Sequence, residues 1–229
     1  MNVNYDRQTV NAKNFFARYA HRTRLNISLK IISDITSYNE ISIFDYGCGD
    51  GLFLNQIKHK IPNSTLSGYD PYSQKKYENF NLINNLAEVR NKKFDVVCCF
   101  ETLEHLDVVE KKDLFFFVND VLKENGKFVI SVPIIGGLVL ILKEINRMLM
   151  FKRKSDYNLK ELFLATFFNV RAKRAENIKE SHKGFSFQIL ENELKKNFLV
   201  SSKVYTPFRI APWFLNSTVF YVLEKKNNF

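Results

Sequence analysis

Cysteine, glycine and proline are scarce in this chain of 229 residues, and each scarcity excludes a class of protein. The sequence has 3 cysteines, 8 glycines and 5 prolines. An odd cysteine count without Cys-x-x-Cys spacing disfavours a disulfide framework or a cysteine zinc site, and is typical of a reduced intracellular protein. So few glycines and prolines disfavour collagen-like, low-complexity and linker-rich architectures.

Long apolar runs are also lacking. The longest uncharged stretch, residues 128–142, is shorter than the ~20 residues of a membrane-spanning helix and contains Pro133, Gly136 and Gly137. The N-terminus has no apolar segment of the kind that a secretory signal needs. We therefore predict a cytoplasmic protein without a transmembrane span.

Aromatic and basic residues are abundant instead. The chain has 22 Phe and 10 Tyr, and its hydrophobic fraction of 45% is enough to bury a core. Lys and Arg number 34 against 24 Asp and Glu, which gives a net charge of +10. Such an excess predicts an acidic partner or an anionic surface, and the length predicts a single domain.

Short β-rich runs alternate with helical stretches between residues 42 and 132, which predicts a doubly wound α/β sheet. A helix is predicted from Val109 to a glycine stop at Gly126. N-terminal helices are expected against the sheet, and two late strands are expected at an antiparallel edge. The predicted parts are N-terminal helices (1–40), a cofactor-binding core (41–133), a basic amphipathic helical insertion (134–180) and C-terminal strands (181–229).

A glycine-rich turn follows the first of these strands. Residues 47–51, Gly-Cys-Gly-Asp-Gly, let a ligand approach the backbone, and the next helix offers free N–H groups. The third glycine comes one residue too early for a nicotinamide fingerprint. Asp70 closes the second strand, where a carboxylate can accept both hydroxyls of a ribose.

These residues resemble a known family. Asp45-x-Gly47-x-Gly49-x-Gly51 and Asp70-Pro71 are similar to motifs I and II of class I S-adenosylmethionine-dependent methyltransferases. Residues 94–106 resemble their motif IV, and residues 122–133 resemble their fifth-strand hairpin. The resemblance implies a seven-stranded Rossmann-like sheet, with six parallel strands, an antiparallel last strand and a helical insertion after the fifth.

The resemblance also implies a set of cofactor-binding residues. The glycine turn would face the methionine moiety, Asp70 the ribose, and Asn85-Leu86 the adenine. Phe100 and Glu101 would lie beside the cofactor at the end of the fourth strand. The full set is Asp45, Gly47, Cys48, Gly49, Asp50, Gly51, Asp70, Pro71, Asn85, Leu86, Phe100 and Glu101.

Two carboxylates and an imidazole follow at Glu101, Glu104 and His105. On a helix they would share one face and suit a divalent cation. The pattern resembles metal-dependent O-methyltransferases of ubiquinone synthesis and of small-RNA 2′-O-methylation, which implies Mg²⁺ or Mn²⁺ and makes His182 a fourth ligand. Without a metal, Glu104 and His105 remain the catalytic pair, with His105 as general base.

Two further segments are basic. In His21-Arg22-x-Arg24, the arginines either bind the methionine carboxylate or form a solvated helix face. Residues 138–174 hold nine basic residues against three acidic ones, beside an apolar stripe at helical spacing. That insertion predicts contact with an anionic membrane; a lid packed on the protein's own core and an RNA groove are the other interpretations. The stripe comprises Leu138, Ile141, Leu142, Ile145 and Leu149.

We therefore predict an S-adenosylmethionine-dependent O-methyltransferase, cytoplasmic and peripheral on the inner face of the membrane. Its acceptor would be a sugar, a lipid-linked glycan or a quinol-type molecule; the C-terminal stretches also resemble methyltransferases encoded with polysaccharide-assembly enzymes. The alternatives are an RNA 2′-O-methyltransferase and a non-catalytic cofactor-binding scaffold.

Overall fold

A computed structural model describes residues 15–36, 40–73, 78–151, 154–179 and 181–226 of the chain. Within these ranges a seven-stranded sheet is flanked by six α-helices. The strands are β1 (Ser42–Tyr46), β2 (Thr65–Tyr69), β3 (Asn81–Ile83), β4 (Phe94–Phe100), β5 (Leu122–Pro133), β6 (Phe198–Thr206) and β7 (Thr218–Lys225). The helices are α1 (Phe15–Ile35), α2 (Leu52–Lys60), α3 (Val108–Val121), α4 (Leu138–Phe151), α5 (Leu159–Phe167) and α6 (Phe187–Asn197).

The strand order is β3-β2-β1-β4-β5-β7-β6. The pairs from β3 to β5 are parallel, whereas β7 runs antiparallel to both of its neighbours. Six strands therefore point one way and the last strand the other. The predicted α/β class and the doubly wound Rossmann-like methyltransferase sheet are confirmed.

Alternate residues of each strand enter two apolar layers, one on each face of the sheet. In β1, Ile43 packs with Ile32 of α1 and Leu54 of α2. Its neighbour Phe44 points to the opposite layer, where it lies 5.4 Å from Phe117 of α3 between ring centroids. The parallel strands are buried on both faces, which is why their sequences are almost continuously apolar.

One predicted boundary was wrong, and one short strand was missed. Helix α3 ends at Val121 rather than near Gly126, because Leu122 is extended, fully buried and paired with Phe94 of β4. The two late strands do form an antiparallel pair at one edge of the sheet, with β7 between β5 and β6, where Tyr221 is fully buried. The short strand β3 was not predicted, since three residues carry too little periodicity to be recognised.

The predicted insertion is helical only in part. It contains α4 and α5, but residues 168–179 form a non-helical segment that returns towards the sheet. No helix among the residues described here combines the length and the apolar character needed to cross a membrane. Residues 10–14 of the predicted N-terminal helical region lie outside the described residues.

Candidate active site

The glycine turn after β1 forms one wall of a cleft at the carboxyl ends of the strands. The N–H groups of Gly47 and Cys48 both donate to the carbonyl of Tyr69, at 2.7 and 3.1 Å. Gly47 has a φ of 81°, and a Cβ built there would lie 2.3 Å from Oγ1 of Thr102. Glycine is therefore required here, because the turn passes directly against the end of β4.

The cleft is lined from α1, the glycine turn and the end of β4. Its lining residues are His21, Arg24, Leu25, Ser28, Asp45, Gly47, Cys48, Gly49, Asp50, Leu52, Phe53, Phe100, Glu101 and Thr102. Oδ1 of Asp45 is buried and has no hydrogen-bond partner among the described atoms. Burial, reinforced by the charge of Asp70, raises the pKa of Asp45 to about 7. An orphaned carboxylate oxygen beside a glycine cradle fits a ligand that brings a hydrogen-bond donor or a cation.

Glu101 is held in the cleft by three contacts. Arg24 donates to its Oε2 at 2.8 Å, and Ser131 donates to its Oε1 at 3.0 Å. Its backbone N–H donates to the carbonyl of Ser131, and its φ of 49° is unusual for a residue with a side chain. Arg24 also bonds Nδ1 of His21 at 2.6 Å. Arg24 thus pairs with Glu101 rather than lying on a solvated helix face, and its binding of the methionine carboxylate stays a prediction.

Asp70 and Asn85 brace the backbone near the cleft. Asp70 accepts hydrogen bonds from the N–H groups of Gly49 at 3.0 Å and Tyr72 at 2.9 Å. Asn85 caps the short turn Leu86–Val89 through a hydrogen bond from Ala87. Neither side chain is among the lining residues given above, so the ribose role of Asp70 and the adenine role of Asn85-Leu86 stay predictions, as does a role for Pro71.

A second cluster, made of Glu104, His105 and His182, lies beyond Glu101. Nε2 of His105 and Nε2 of His182 are 3.0 Å apart, and each is 3.9 Å from Oε1 of Glu104. The three side chains each offer one ligand atom, and these atoms lie within 4.8 Å of one another. Glu104 is fully buried, and neither of its carboxylate oxygens has a hydrogen-bond partner among the described atoms.

The hydrogen bonds of the cluster determine which nitrogen of each neutral histidine carries a proton. Nδ1 of His105 lies 3.0 Å from the carbonyl of Ile178, which can only accept, so this nitrogen is the donor. Nε2 of neutral His105 therefore carries a lone pair and accepts from Nε2–H of His182. Burial, with the neighbouring His105, lowers the pKa of His182 to about 3, so this imidazole stays neutral. Burial and then the charge of Glu101 raise the pKa of Glu104 well above its usual range.

Glu101 does not join this cluster. The predicted helical face would have aligned Glu101, Glu104 and His105, but the chain after β4 forms only a short 3₁₀ turn, Leu103–His105. Glu101 precedes that turn and pairs with Arg24 instead. The distant His182 does join, because the non-helical segment after α5 brings it back over the sheet.

Two basic residues of the insertion, Lys143 and Arg174, lie beside Glu104. The sequence had predicted that both belong to a membrane-contacting surface. Lys143 of α4 donates to the carbonyls of Ile134 at 3.1 Å and Ser217 at 3.0 Å. Burial lowers the pKa of Lys143 to about 8, and the charges of Glu101 and Glu104 oppose that shift. Arg174 donates to the carbonyl of Glu104. In the sequence, the signal that Lys143 faces the protein was its position on the side of the predicted helix opposite the apolar stripe.

An aromatic pocket lies next to His182 along the chain. It is walled in part by Tyr157, Phe185, Phe187 and Trp213, and its polar lining includes Arg171 and Gln188. The rings of Phe187 and Trp213 lie 5.8 Å apart between centroids. Residues 184–188 of its lining begin two positions after His182 in the chain.

The comparisons with known proteins agree with this geometry. Residues 13–162 match a family model described as "Methyltransferase domain". The chain is 33% identical over 117 residues to the ubiquinone biosynthesis O-methyltransferase of Rickettsia canadensis (strain McKiel), covering 44% of this chain and 48% of that protein. It therefore spans about half the length of that curated relative.

Solved structures share the fold at low sequence identity. A TehB-like SAM-dependent methyltransferase from Corynebacterium glutamicum superposes with a TM-score of 0.53 at 13% identity, covering 91% of this chain and 96% of that one. Magnesium protoporphyrin IX methyltransferase from Synechocystis PCC 6803, with bound SAH, gives 0.55 at 14% identity, covering 94% and 89%. Because the family model spans more than half of the chain, the protein belongs to the methyltransferase domain family, and the prediction of an S-adenosylmethionine-dependent methyltransferase is confirmed.

Proposed function

We propose that this protein transfers the methyl group of S-adenosylmethionine to the hydroxyl of a ring-bearing, membrane-associated small molecule of the quinol type. The observation that carries the proposal is the Glu104–His105–His182 cluster, which places an unprotonated imidazole nitrogen beside a buried carboxylate. A relative named for O-methylation in ubiquinone biosynthesis supports the same acceptor class.

The cofactor cleft fits a sulfonium nucleoside. The glycine turn lets a ligand approach the backbone closely, and Asp45 presents an unpartnered oxygen that suits the ammonium of the methionine moiety. When bound, S-adenosylmethionine supplies an electrophilic methyl group, whose bond to sulfur breaks as the acceptor oxygen bonds to its carbon. Glu101, clamped by Arg24 and Ser131, orients the end of β4 at the boundary between cofactor and acceptor.

The chain's own chemical task is to align the acceptor and to remove its proton. Proximity and orientation can supply roughly 7–11 kcal/mol of the barrier reduction. Nε2 of His105 accepts from His182 in the ligand-free chain, and it can take the hydroxyl proton once the acceptor hydroxyl replaces that contact, while the carbonyl of Ile178 fixes the ring through Nδ1. The imidazolium that forms lies 3.9 Å from Oε1 of Glu104, and its positive charge favours the ionised form of that buried carboxyl, which then stabilises it.

The cluster also fits a divalent cation. Glu104, His105 and His182 would hold it through one oxygen and two nitrogens, and the unpartnered oxygens of Glu104 agree with such a role. A bound cation would lower the pKa of the acceptor hydroxyl. Of the two predicted metals, Mn²⁺ suits two imidazole ligands better, because Mg²⁺ prefers a shell of oxygens.

The aromatic pocket favours a ring-bearing acceptor over RNA. Trp213 borders this pocket and can pack against a flat ring, and Gln188 can bond its substituents. Against RNA, the basic residues Lys143, Arg147, Arg171 and Arg174 contact protein groups rather than forming a continuous phosphate-binding groove. A non-catalytic scaffold would not need Glu104 and two histidines in contact.

The test is methyl transfer from labelled S-adenosylmethionine to three acceptors: an alkylated catechol, a lipid-linked saccharide and a short RNA. We expect an alkali-stable methyl ether on the catechol. Label appearing only on the saccharide or the RNA would overturn the acceptor class, and no transfer to any of them would favour the scaffold.

Substitution and metal removal distinguish a general-base role of the cluster from a metal-binding role. His105→Ala should lower turnover by ~10²–10⁴-fold, as expected for loss of a general base. His59→Ala removes an exposed histidine from α2 and serves as the matched control. If a metal acts, EDTA abolishes turnover and Mn²⁺ restores it; full activity in EDTA would leave His105 as a metal-free base.

A further inference from the structure

Helix α4 has its polarity reversed relative to an ordinary surface helix. Its apolar stripe faces outward: Leu142 is 65% exposed and Leu149 is 76% exposed. Its polar side faces the protein, where Glu144 is only 6% exposed and accepts a hydrogen bond from Arg147 at 2.8 Å. Lys143, on the same side, bonds the carbonyl of Ile134. The interpretation of this stripe as a lid packed on the protein's own core is therefore not supported.

Two neighbouring segments extend the exposed apolar surface. On α5 and just after it, Phe163 lies 5.1 Å from Phe167 and 5.7 Å from Phe168 between ring centroids, and all three rings are exposed. Helix α4 packs along α5, and its N-terminus at Gly137 abuts the backbone of Phe214. We call the combined exposed face the apolar ridge. It comprises Leu142, Leu149, Phe163, Phe167, Phe168 and Phe214.

The charges beside the ridge are mainly positive. Lys154, Lys160 and Lys173 are exposed, as is Arg209 beside Ile210, and none makes an ion pair with a residue that the structure describes. Of the acidic residues in these segments, Asp156 pairs with Arg147 and Glu161 pairs with Lys183, whereas Glu176 is exposed. Lys152 and Arg153, which belong to the predicted basic run, lie outside the described residues.

We propose that the apolar ridge binds the surface of an anionic lipid bilayer. A reversed helix leaves large aliphatic and aromatic side chains in water, and exposed patches of this kind mark an interaction site. Unpaired cations along their border match a negatively charged surface rather than an apolar protein face. Helix α4, of 14 residues, would lie in the interface with its apolar side among the lipid chains.

Reversal also explains how a surface helix can serve the active site. The side of α4 opposite the ridge carries Lys143, which bonds the ends of β5 and β7 at the acceptor side. One face of α4 would thus contact lipid, and its opposite face contacts the end of the sheet that carries the active site. The inference concerns the surface alone and holds for any acceptor that partitions into lipid.

The experiment is co-sedimentation of the full chain with vesicles of phosphatidylglycerol and phosphatidylcholine, or of phosphatidylcholine alone. We expect binding to the anionic vesicles that weakens as salt rises, because the Debye length falls to about 8 Å at physiological ionic strength. The double variant Leu142→Glu/Leu149→Glu should bind about tenfold or more weakly. Both residues are exposed, so their substitution should leave the fold intact.

Matched controls make the outcome decisive. Val108→Glu/Phe116→Glu replaces two exposed apolar residues of α3, of which Phe116 is 74% exposed, and should bind vesicles like the wild type. For charge, Lys160→Glu/Lys173→Glu should weaken binding, whereas Lys92→Glu/Lys112→Glu should weaken it less. The proposal is overturned if the wild type stays in the supernatant with anionic vesicles at low salt. It is equally overturned if both apolar double variants lose binding alike, or if the ridge forms a dimer in sedimentation velocity and binds no vesicles.

Discussion

At the scale of single residues, the site is built on groups whose charge is disfavoured by burial. Asp45 and Glu104 are both buried carboxylates with raised pKa values and with oxygens that lack partners among the described atoms. Leaving such groups unsatisfied costs folding free energy, and strained or unsatisfied groups of this kind cluster at functional sites. Asp45 lines the cleft beside the glycine turn, and Glu104 belongs to the cluster with His105 and His182.

Asp45→Asn should change both the pH dependence of stability and the affinity for S-adenosylmethionine, and the two effects can be measured separately. The pKa of Asp45 rises from 3.8 to about 7 in the folded chain. The folded state therefore holds a proton that the unfolded state has lost, so the contribution of this group to stability falls between these two pH values, by at most about 4 kcal/mol. The variant should flatten that slope in urea unfolding of the ligand-free chain while weakening S-adenosylmethionine binding. An unchanged slope would contradict the raised pKa.

At the scale of elements, two close approaches hold the site together: the glycine turn against the end of β4, and α4 against β5 and β7. Gly47 leaves no room for a Cβ beside Thr102. Lys143 ties α4 to the carbonyls of Ile134 and Ser217. Both contacts join segments that are far apart in the sequence.

Gly47→Ala should cost about 1–3 kcal/mol and weaken cofactor binding, since it adds a clash to a left-handed backbone. Adding Thr102→Ala should recover part of the loss, because it removes the two nearest of the three clashing atoms. Gly136→Ala is the control: its nearest neighbour would lie at 3.5 Å. Strict additivity in the double-mutant cycle would show that the steric contact with Thr102 does not matter.

Lys143→Met leaves two carbonyls without their donor, so it should destabilise the chain, and by more above pH 10 than near neutral pH, where the wild type bears the cost of a buried charge. Burial lowers the pKa of Lys143 from 10.5 to about 8. The unfolded chain thus binds more protons between these values, so the wild type gains stability there as pH rises, and the gain is lost as pH falls through 8. The difference between wild type and variant in urea unfolding should show this slope; Lys154→Met, at an exposed position, should not alter it.

At the scale of the whole molecule, cofactor binding should stabilise the fold, because the cleft is made by α1, the glycine turn and β4 together. S-adenosylhomocysteine at a hundredfold its Kd should add about 2.7 kcal/mol, which raises Tm by roughly 5–10 °C for a chain of this size. Asp70→Ala should reduce that rise at a fixed ligand concentration, whereas the exposed Asp34→Ala should not. An equal rise in both variants would remove Asp70 from the cofactor site.

The sequence alone determined the sheet class, the glycine turn, the strand-end acids and the family, because these depend on local patterns: β1 and β4 are continuous apolar runs, and Gly47–Gly51 follow β1 directly. Only the tertiary structure decided which partner each of the acidic residues contacts. Glu101 and Glu104 are three residues apart, yet a 3₁₀ turn sends one to Arg24 and the other to two histidines, one of them 78 positions away in the chain. The periodicity of α4 likewise identified its apolar stripe but not its direction, since an amphipathic pattern is the same whether its apolar side meets the core or the outside. The direction was decided by the buried partners of Lys143 and Glu144, which lie on other elements and on the segment after α4.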